Sequence, residues 1–195
     1  MKNYIIWGVL TVANILLGVY IYQQKQQTEQ FYEDYAQKSV LSYDYLKSMQ
    51  YNGNVIDSSV ALLDSKDSSY TMGDIACGGR ILVFRYSFIH CNACVDTLMK
   101  LVGHFSKEVG AGKIAILAQY ANKRDYKNFV RINNVKNGIF HLQDTLCKAD
   151  ELSIPYLFVL EGDMTISNFF MPRKEYPQIT EQYLQSIKNL LIHTK

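Results

Sequence analysis

Residues 81–94 read ILVFRYSFIHCNAC, and this stretch decides the fold. Its first half belongs to a run, Arg80 to Tyr86, in which apolar residues follow one another with little alternation, as in a strand buried on both faces. Cys91-Asn92-Ala93-Cys94 comes directly after and opens a segment, Cys91 to about Val102, where Cys94, Val95, Leu98, Leu101 and Val102 recur at helical spacing. A buried strand feeding a helix that begins with a Cys-x-x-Cys pair puts the first cysteine at the helix N-terminus. Unsatisfied N–H groups and the positive end of the helix dipole favour a thiolate there, lowering a thiol pKa from about 8.5 toward roughly 3.5 to 7.5. Cys94, almost one turn further in, is within bridging reach of Cys91. Cys91 is therefore the expected attacking thiolate and Cys94 the resolving thiol.

The flanking sequence extends this unit into an α/β domain. Before it, Ser59 to Leu63 is a short apolar run, followed by the turn-rich DSKDSS and a connection ending in Cys77-Gly78-Gly79. After it come a buried strand over Lys113–Gln119, a polar amphipathic helix over Lys123–Ile132 and a short strand over Gly138–Leu142. Tyr156–Glu161 and Thr165–Met171 flank Gly162-Asp163 as a hairpin, and Ile179–Ile192 closes the chain as a helix. Parallel crossovers first and an antiparallel hairpin last predict a central mixed sheet with helices on both faces.

The N-terminus has another character. Tyr4 to Tyr22 is free of charge, with only Thr11 and Asn14 clearly polar. As a helix, at about 1.5 Å per residue, it spans roughly 28 Å, close to the hydrocarbon thickness of a bilayer. Trp7, Tyr4, Tyr20 and Tyr22 fall where interfacial aromatics sit, and no A-x-A-like cleavage site ends the stretch. The expected organisation is a transmembrane signal-anchor over 1–22, a helical stalk or linker over 23–53, and the α/β domain over 54–195. Lys2 and the α-amino group before the span, against Lys25 after it, favour a cytoplasmic N-terminus. The expected location is thus the cell (inner) membrane, single-pass, with the domain facing the periplasm or outside, where disulfides persist.

Composition limits the functional classes. With 48% hydrophobic and 19% charged residues the 195-residue chain is globular, not disordered. Twenty Lys+Arg against eighteen Asp+Glu, without a basic run, give nucleic-acid binding no support. For the cysteine pair, a zinc half-site lacks a second Cys-x-x-Cys or finger-spaced histidines, and a c-type haem site would need His where Val95 stands. An inert structural disulfide remains the rival to a redox pair, although short exposed bridges tend to be labile. Cys77 and Cys147 read as small buried hydrophobes, with a bridge between them left open in an oxidising compartment.

The motif ILVFRYSFIHCNAC, the Ile154-Pro155 step before YLFVLEGDMTI and the order of elements between them resemble the thioredoxin-like, membrane-anchored thiol-disulfide oxidoreductases of the TlpA and ResA type, over residues 55 to 193. The resemblance implies a cis proline facing the redox pair at Pro155, with Ile154 as the substrate-contacting position. It also implies catalysis by Cys91 and Cys94 with no cofactor beyond the dithiol and no metal. The expected partners are exported proteins carrying thiols or disulfides and a membrane or periplasmic electron donor, with reduction favoured over oxidation. Three departures stand out: Asn92-Ala93 between the cysteines, His90 in place of the usual Trp, and Arg85 where thioredoxin has a buried acid. His90 is a candidate modulator of the Cys91 thiol pKa, or alternatively a surface ring touching substrate or solvent. A non-catalytic thioredoxin-fold interaction module, with Cys91 and Cys94 as a fixed bridge, is the alternative function.

Overall fold

The computed structural model describes residues 2–76, 79–133 and 138–192, with backbone alone for 2–13, 92 and 93. Two compact units divide the chain, Met1–Tyr43 and Asp44–Lys195. The N-terminal helix α1 (Lys2–Met49) carries no acidic residue in its first turn. In its described part Ile15, Leu16, Leu17, Val19, Tyr20, Ile21 and Tyr22 are all exposed. Among the described residues, however, no helix is long and apolar enough to cross a membrane. Much of the expected Tyr4–Tyr22 span has side chains outside the described set, so helix is what the structure establishes there.

The second unit is built on a seven-stranded mixed sheet: β1 (Ala61–Leu63), β2 (Ser69–Thr71), β3 (Ile81–Ser87), β4 (Ile114–Gln119), β5 (Ile139–Leu142), β6 (Tyr156–Leu160) and β7 (Ile166–Phe170), in the order β2-β1-β5-β4-β3-β6-β7. β3 pairs in parallel with β4, Leu82 opposite Ile114, and antiparallel with β6, Arg85 opposite Tyr156. The apolar run around Val83 is continuous because β3 lies inside the sheet, and all seven of its residues are buried. The two-residue period of a strand then sorts them. Leu82, Phe84 and Tyr86 face one core, shared with Val95, Leu98, Val102 and Phe105 of α3 (Asn92–Val109) and Leu184, Ile187 and Leu191 of α5 (Pro177–Ile192). Ile81 and Val83 face the other, with Tyr51, Ile56, Leu62, Tyr156, Phe158 and Met72 of the short helix α2 (Met72–Ala76).

Local chemistry sets the boundaries. α3 stops at Gly110, whose φ of 95° belongs to the region glycine favours, and its N–H returns to Ser106 O. α4 (Lys123–Ile132) starts where the Asn122 side chain accepts from Asp125 N at 2.9 Å, and α5 starts on Pro177, whose missing N–H costs nothing at a first helical position. The DSKDSS stretch is a hairpin turn joining β1 to β2. Asp64 Oδ1 gathers the N–H groups of Lys66 and Ser68 at 2.8 Å each, and Asp67 takes a φ of 67°. In the second hairpin Met164, not Gly162, carries the positive φ, 69°. The β6–β7 register shifts between Leu157 and Val159. The short β2 and α2 were not expected from sequence.

Candidate functional site

Because β3 and β4 run in parallel, their carboxyl ends lie at the same end of the sheet, and antiparallel β6 begins at that end. The chain leaves β3 at Ser87, passes Phe88, Ile89 and His90, and enters α3 with Cys91 as its N-cap (φ −56°, ψ 118°). Cys91 O accepts from Cys94 N at 3.0 Å and from Val95 N at 3.1 Å. Cys91 is exposed and Cys94 half-buried. Phe88 and Ile89, 51% and 63% exposed, put two apolar side chains on the surface just ahead of the exposed sulfur.

The two thiols have different surroundings. Burial pushes the Cys94 thiol up to about 11, helped by its hydrogen bond with Cys91 and by that neighbour's charge, while Lys174 pulls the other way. Cys94 is sheltered by the segment carrying Pro172, Arg173 and Lys174 and by Thr180 of α5. At neutral pH it is therefore a protonated thiol at the feet of an exposed one.

His90 lies buried, 9% exposed, and its Nδ1 accepts from Ser87 N at 3.1 Å. Burial lowers its pKa to about 4, with Arg85 adding to the shift and Asp150 opposing it. The ring is neutral at pH 7, with its proton on Nε2 because Nδ1 is an acceptor. It is thus a buried ring and not a surface one, and what it can offer a neighbour at pH 7 is an Nε2–H donor and not a positive charge.

Arg85 continues the Ile81/Val83 face and is 1% exposed. Its guanidinium lies 3.0 Å from Asp150 Oδ1 and donates through Nη2 to Gln119 Oε1 at 2.7 Å and through Nη1 to the carbonyl of Tyr86. Asp150 also accepts from Tyr156 Oη at 2.8 Å and from Leu146 N at 2.7 Å, and the Tyr156 hydroxyl lies 3.6 Å from Cys147 Sγ. A buried base thus stands where the resemblance led one to look for an acid, with its own carboxylate beside it. A lone arginine in an otherwise apolar strand is the one local signal for such a partner, and nothing in the sequence pointed to Asp150. Cys147 is a free, half-buried thiol whose pKa burial raises, and Cys77 lies outside the described residues.

Pro155 is buried and Ile154 half-buried, one and two positions ahead of Tyr156. Since Tyr156 pairs with Arg85, the register carries Pro155 alongside the end of β3, from which the chain leads to Cys91. Among the described residues no peptide bond is cis, so the expected cis geometry at Pro155 is corrected to trans. Ser153, which ends the short 3-10 helix Lys148–Leu152, adopts a left-handed conformation (φ 52°, ψ 29°), and trans is the default by about 0.5–1 kcal/mol before proline. Among the described residues no cluster of three or more His, Cys, Asp or Glu is placed to hold a metal ion.

No family model matches the chain, and neither does any curated protein. Solved structures do. A candidate electron-transfer protein of Aquifex aeolicus VF5 superposes with a TM-score of 0.54 at 13% identity, over 73% of this chain and 94% of its own. An uncharacterized thioredoxin-like protein of Porphyromonas gingivalis reaches 0.50 at 12% identity, over 67% and 90%. Peroxidoxin BcpB of Mycobacterium tuberculosis reaches 0.50 at 11%, over 70% and 97%. At such identities the likeness is one of fold. The chain has the thioredoxin-like α/β fold, a mixed sheet flanked by helices, with a Cys-x-x-Cys pair where the interior strand β3 leads into α3.

Proposed function

We propose that this protein is a thiol-disulfide oxidoreductase that reduces disulfides of exported polypeptides, held at the membrane by its N-terminal helix with the domain on the outer, periplasmic side. The observation that carries the reading is the asymmetry of the pair. Cys91 is exposed at the N-cap of an 18-residue helix, and Cys94 waits behind it, half-buried and protonated. The Cys91 thiolate attacks one sulfur of a substrate disulfide; that S–S bond breaks, and the departing thiolate takes up a proton. Cys94 then loses its proton and attacks the Cys91 sulfur, which releases the second substrate thiol and leaves a Cys91–Cys94 disulfide. Two electrons have passed to the substrate, and an external dithiol donor must return them. No further cofactor enters this cycle.

The apolar Phe88 and Ile89 beside Cys91 suit an unfolded or extended chain, and the backbone at Ile154 and Pro155 lies beside the carboxyl end of β3, where it can align that chain. The exposed apolar residues Ile15 to Tyr22 and the flanking charges support the anchor and its orientation. The full-length chain should catalyse dithiothreitol-dependent reduction of a protein disulfide faster than dithiothreitol alone, and Cys91→Ser should abolish the excess. Absence of any excess rate, with both thiols shown to be reactive, overturns the enzymatic reading in favour of a binding module. Recovery of the chain in the soluble fraction, or protection of the domain from external protease, overturns the anchor and its orientation.

A further inference from the structure

A cleft of about 480 Å³ opens between the start of α3 and the helix α4, at the end of the sheet where β3 and β4 finish. This is within the size range of a small-molecule or side-chain site. Its walls include the rings of Tyr86, Phe88, Tyr120 and Phe129, and its polar rim carries the carboxylates of Asp96 and Asp125. Tyr86 and Tyr120 meet edge to face at 6.2 Å, and Phe129 lies 5.6 Å from each of them. No lysine or arginine lines it among the described residues. Tyr86 is 1% exposed, and its hydroxyl makes no hydrogen bond of good geometry there, although the Tyr120 hydroxyl faces it. A buried tyrosine hydroxyl facing that of Tyr120, aromatic faces, and two carboxylates with no ion-pair partner among the described residues, Asp125 accepting only from Asn122 Nδ2 at 2.9 Å, make an environment that favours an organic cation.

The cleft adjoins the redox pair along the chain. Phe88 precedes Cys91 by three positions, at most about 11 Å of extended backbone, and Asp96 follows Cys94 by two. We propose that it binds the cationic side chain, arginine or lysine, of a substrate polypeptide, a few residues from the cysteine that Cys91 attacks. The guanidinium or ammonium stacks on the accessible rings of Phe88, Tyr120 and Phe129 and is neutralised by Asp96 and Asp125. The proposal rests on the oxidoreductase reading and adds a substrate class to it: disulfide-bearing chains with a basic residue near the reacting cysteine.

The test uses the full-length chain and three cyclic disulfide peptides that carry Arg, Glu or Phe three residues from a cysteine. The Arg peptide should be reduced with a kcat/KM at least tenfold above the Glu peptide, and 0.5 M salt should shrink that ratio. Asp96→Asn with Asp125→Asn, which keeps side-chain shape, should bring the ratio below about twofold. A preference for the Phe peptide, no preference, or an Arg preference that the double variant retains overturns the cationic site. If no peptide is reduced at all, the oxidoreductase reading falls, and binding decides the site separately. Titration of a cysteine-free Arg peptide, followed by calorimetry, should show binding to the wild type that the double variant loses; no binding overturns the proposal.

Discussion

Asp44 and Arg173, 129 positions apart, close on each other as a two-pronged ion pair: Asp44 accepts through Oδ2 from Nε and through Oδ1 from Nη2, at 2.7 Å each. The Asp44 side chain is 7% exposed and that of Arg173 38%, so the pair is screened on one side only. Its carboxylate in turn raises the Arg173 pKa. Arg173 also belongs to the segment that shelters Cys94, so the end of α1 is tied to the surroundings of the second thiol.

Removing Arg173 strands a buried carboxylate. Arg173→Met should cost about 2 kcal/mol, below the value for a fully buried pair because the guanidinium is partly wet. Urea unfolding of the single variants and of Asp44→Asn/Arg173→Met measures the coupling, and additive losses would show that the two do not interact. Cys94 should also alkylate several-fold faster in Arg173→Met as its cover loosens.

The thiols should react in a fixed order. At pH 7 a thiol with a pKa near 11 is ionised in only about one molecule in 10⁴, so iodoacetamide should modify Cys91 at least tenfold faster than Cys94. Mass spectrometry of partly modified protein reads this directly. Cys94→Ser should trap mixed disulfides through Cys91. Equal rates at both positions contradict the assignment of roles.

The Arg85–Asp150 pair should matter to stability more than any pair on the surface. Asp150→Asn leaves a guanidinium with 2% side-chain exposure and no counter-charge, and should cost about 3–5 kcal/mol. Arg85→Met should cost less, because Asp150 keeps its donors Tyr156 Oη and Leu146 N. Arg85→Lys should not restore the loss, since an ammonium cannot reach Gln119 and Tyr86 in the same fork. Chemical denaturation ranks the three variants.

His90 gives the fold a pH dependence with a definite sign. Its pKa near 4 when folded lies below about 6.5 when unfolded, so between these values the unfolded chain binds the extra proton. Stability therefore falls as pH drops from 6.5 toward 4, by of the order of 2 kcal/mol, and is regained on the way back up. His90→Gln should flatten that slope. Arg85→Met should move the His90 titration, followed by NMR, toward 6.5.

Most of the scaffold around the pair was legible because its signals are local. The run at Val83, the helical spacing from Val95 to Val102 and the amphipathic pattern over Lys123–Ile132 each act over a few residues, and β3, α3 and α4 appear where those patterns put them. Ser69–Thr71 escaped notice because three residues with little apolar content form a strand only by pairing with β1. The partners of Arg85 and Arg173 were hidden for a related reason: an ion pair across the fold leaves no periodic trace in either segment. The geometry at Pro155 came from likeness alone, and there the structure has a trans bond instead.

The seat of the chemistry is also the seat of stability. β3 has neighbours on both edges and no wet face, so its amides should be among the last to exchange with solvent, whereas the short stretch from Phe88 to Cys91 is held mainly at its ends. Substitutions that alter the pair without unfolding the domain should accordingly fall in a narrow strip of loop. A substitution one residue further back, in the strand itself, registers first as lost protein and only afterwards as altered reactivity.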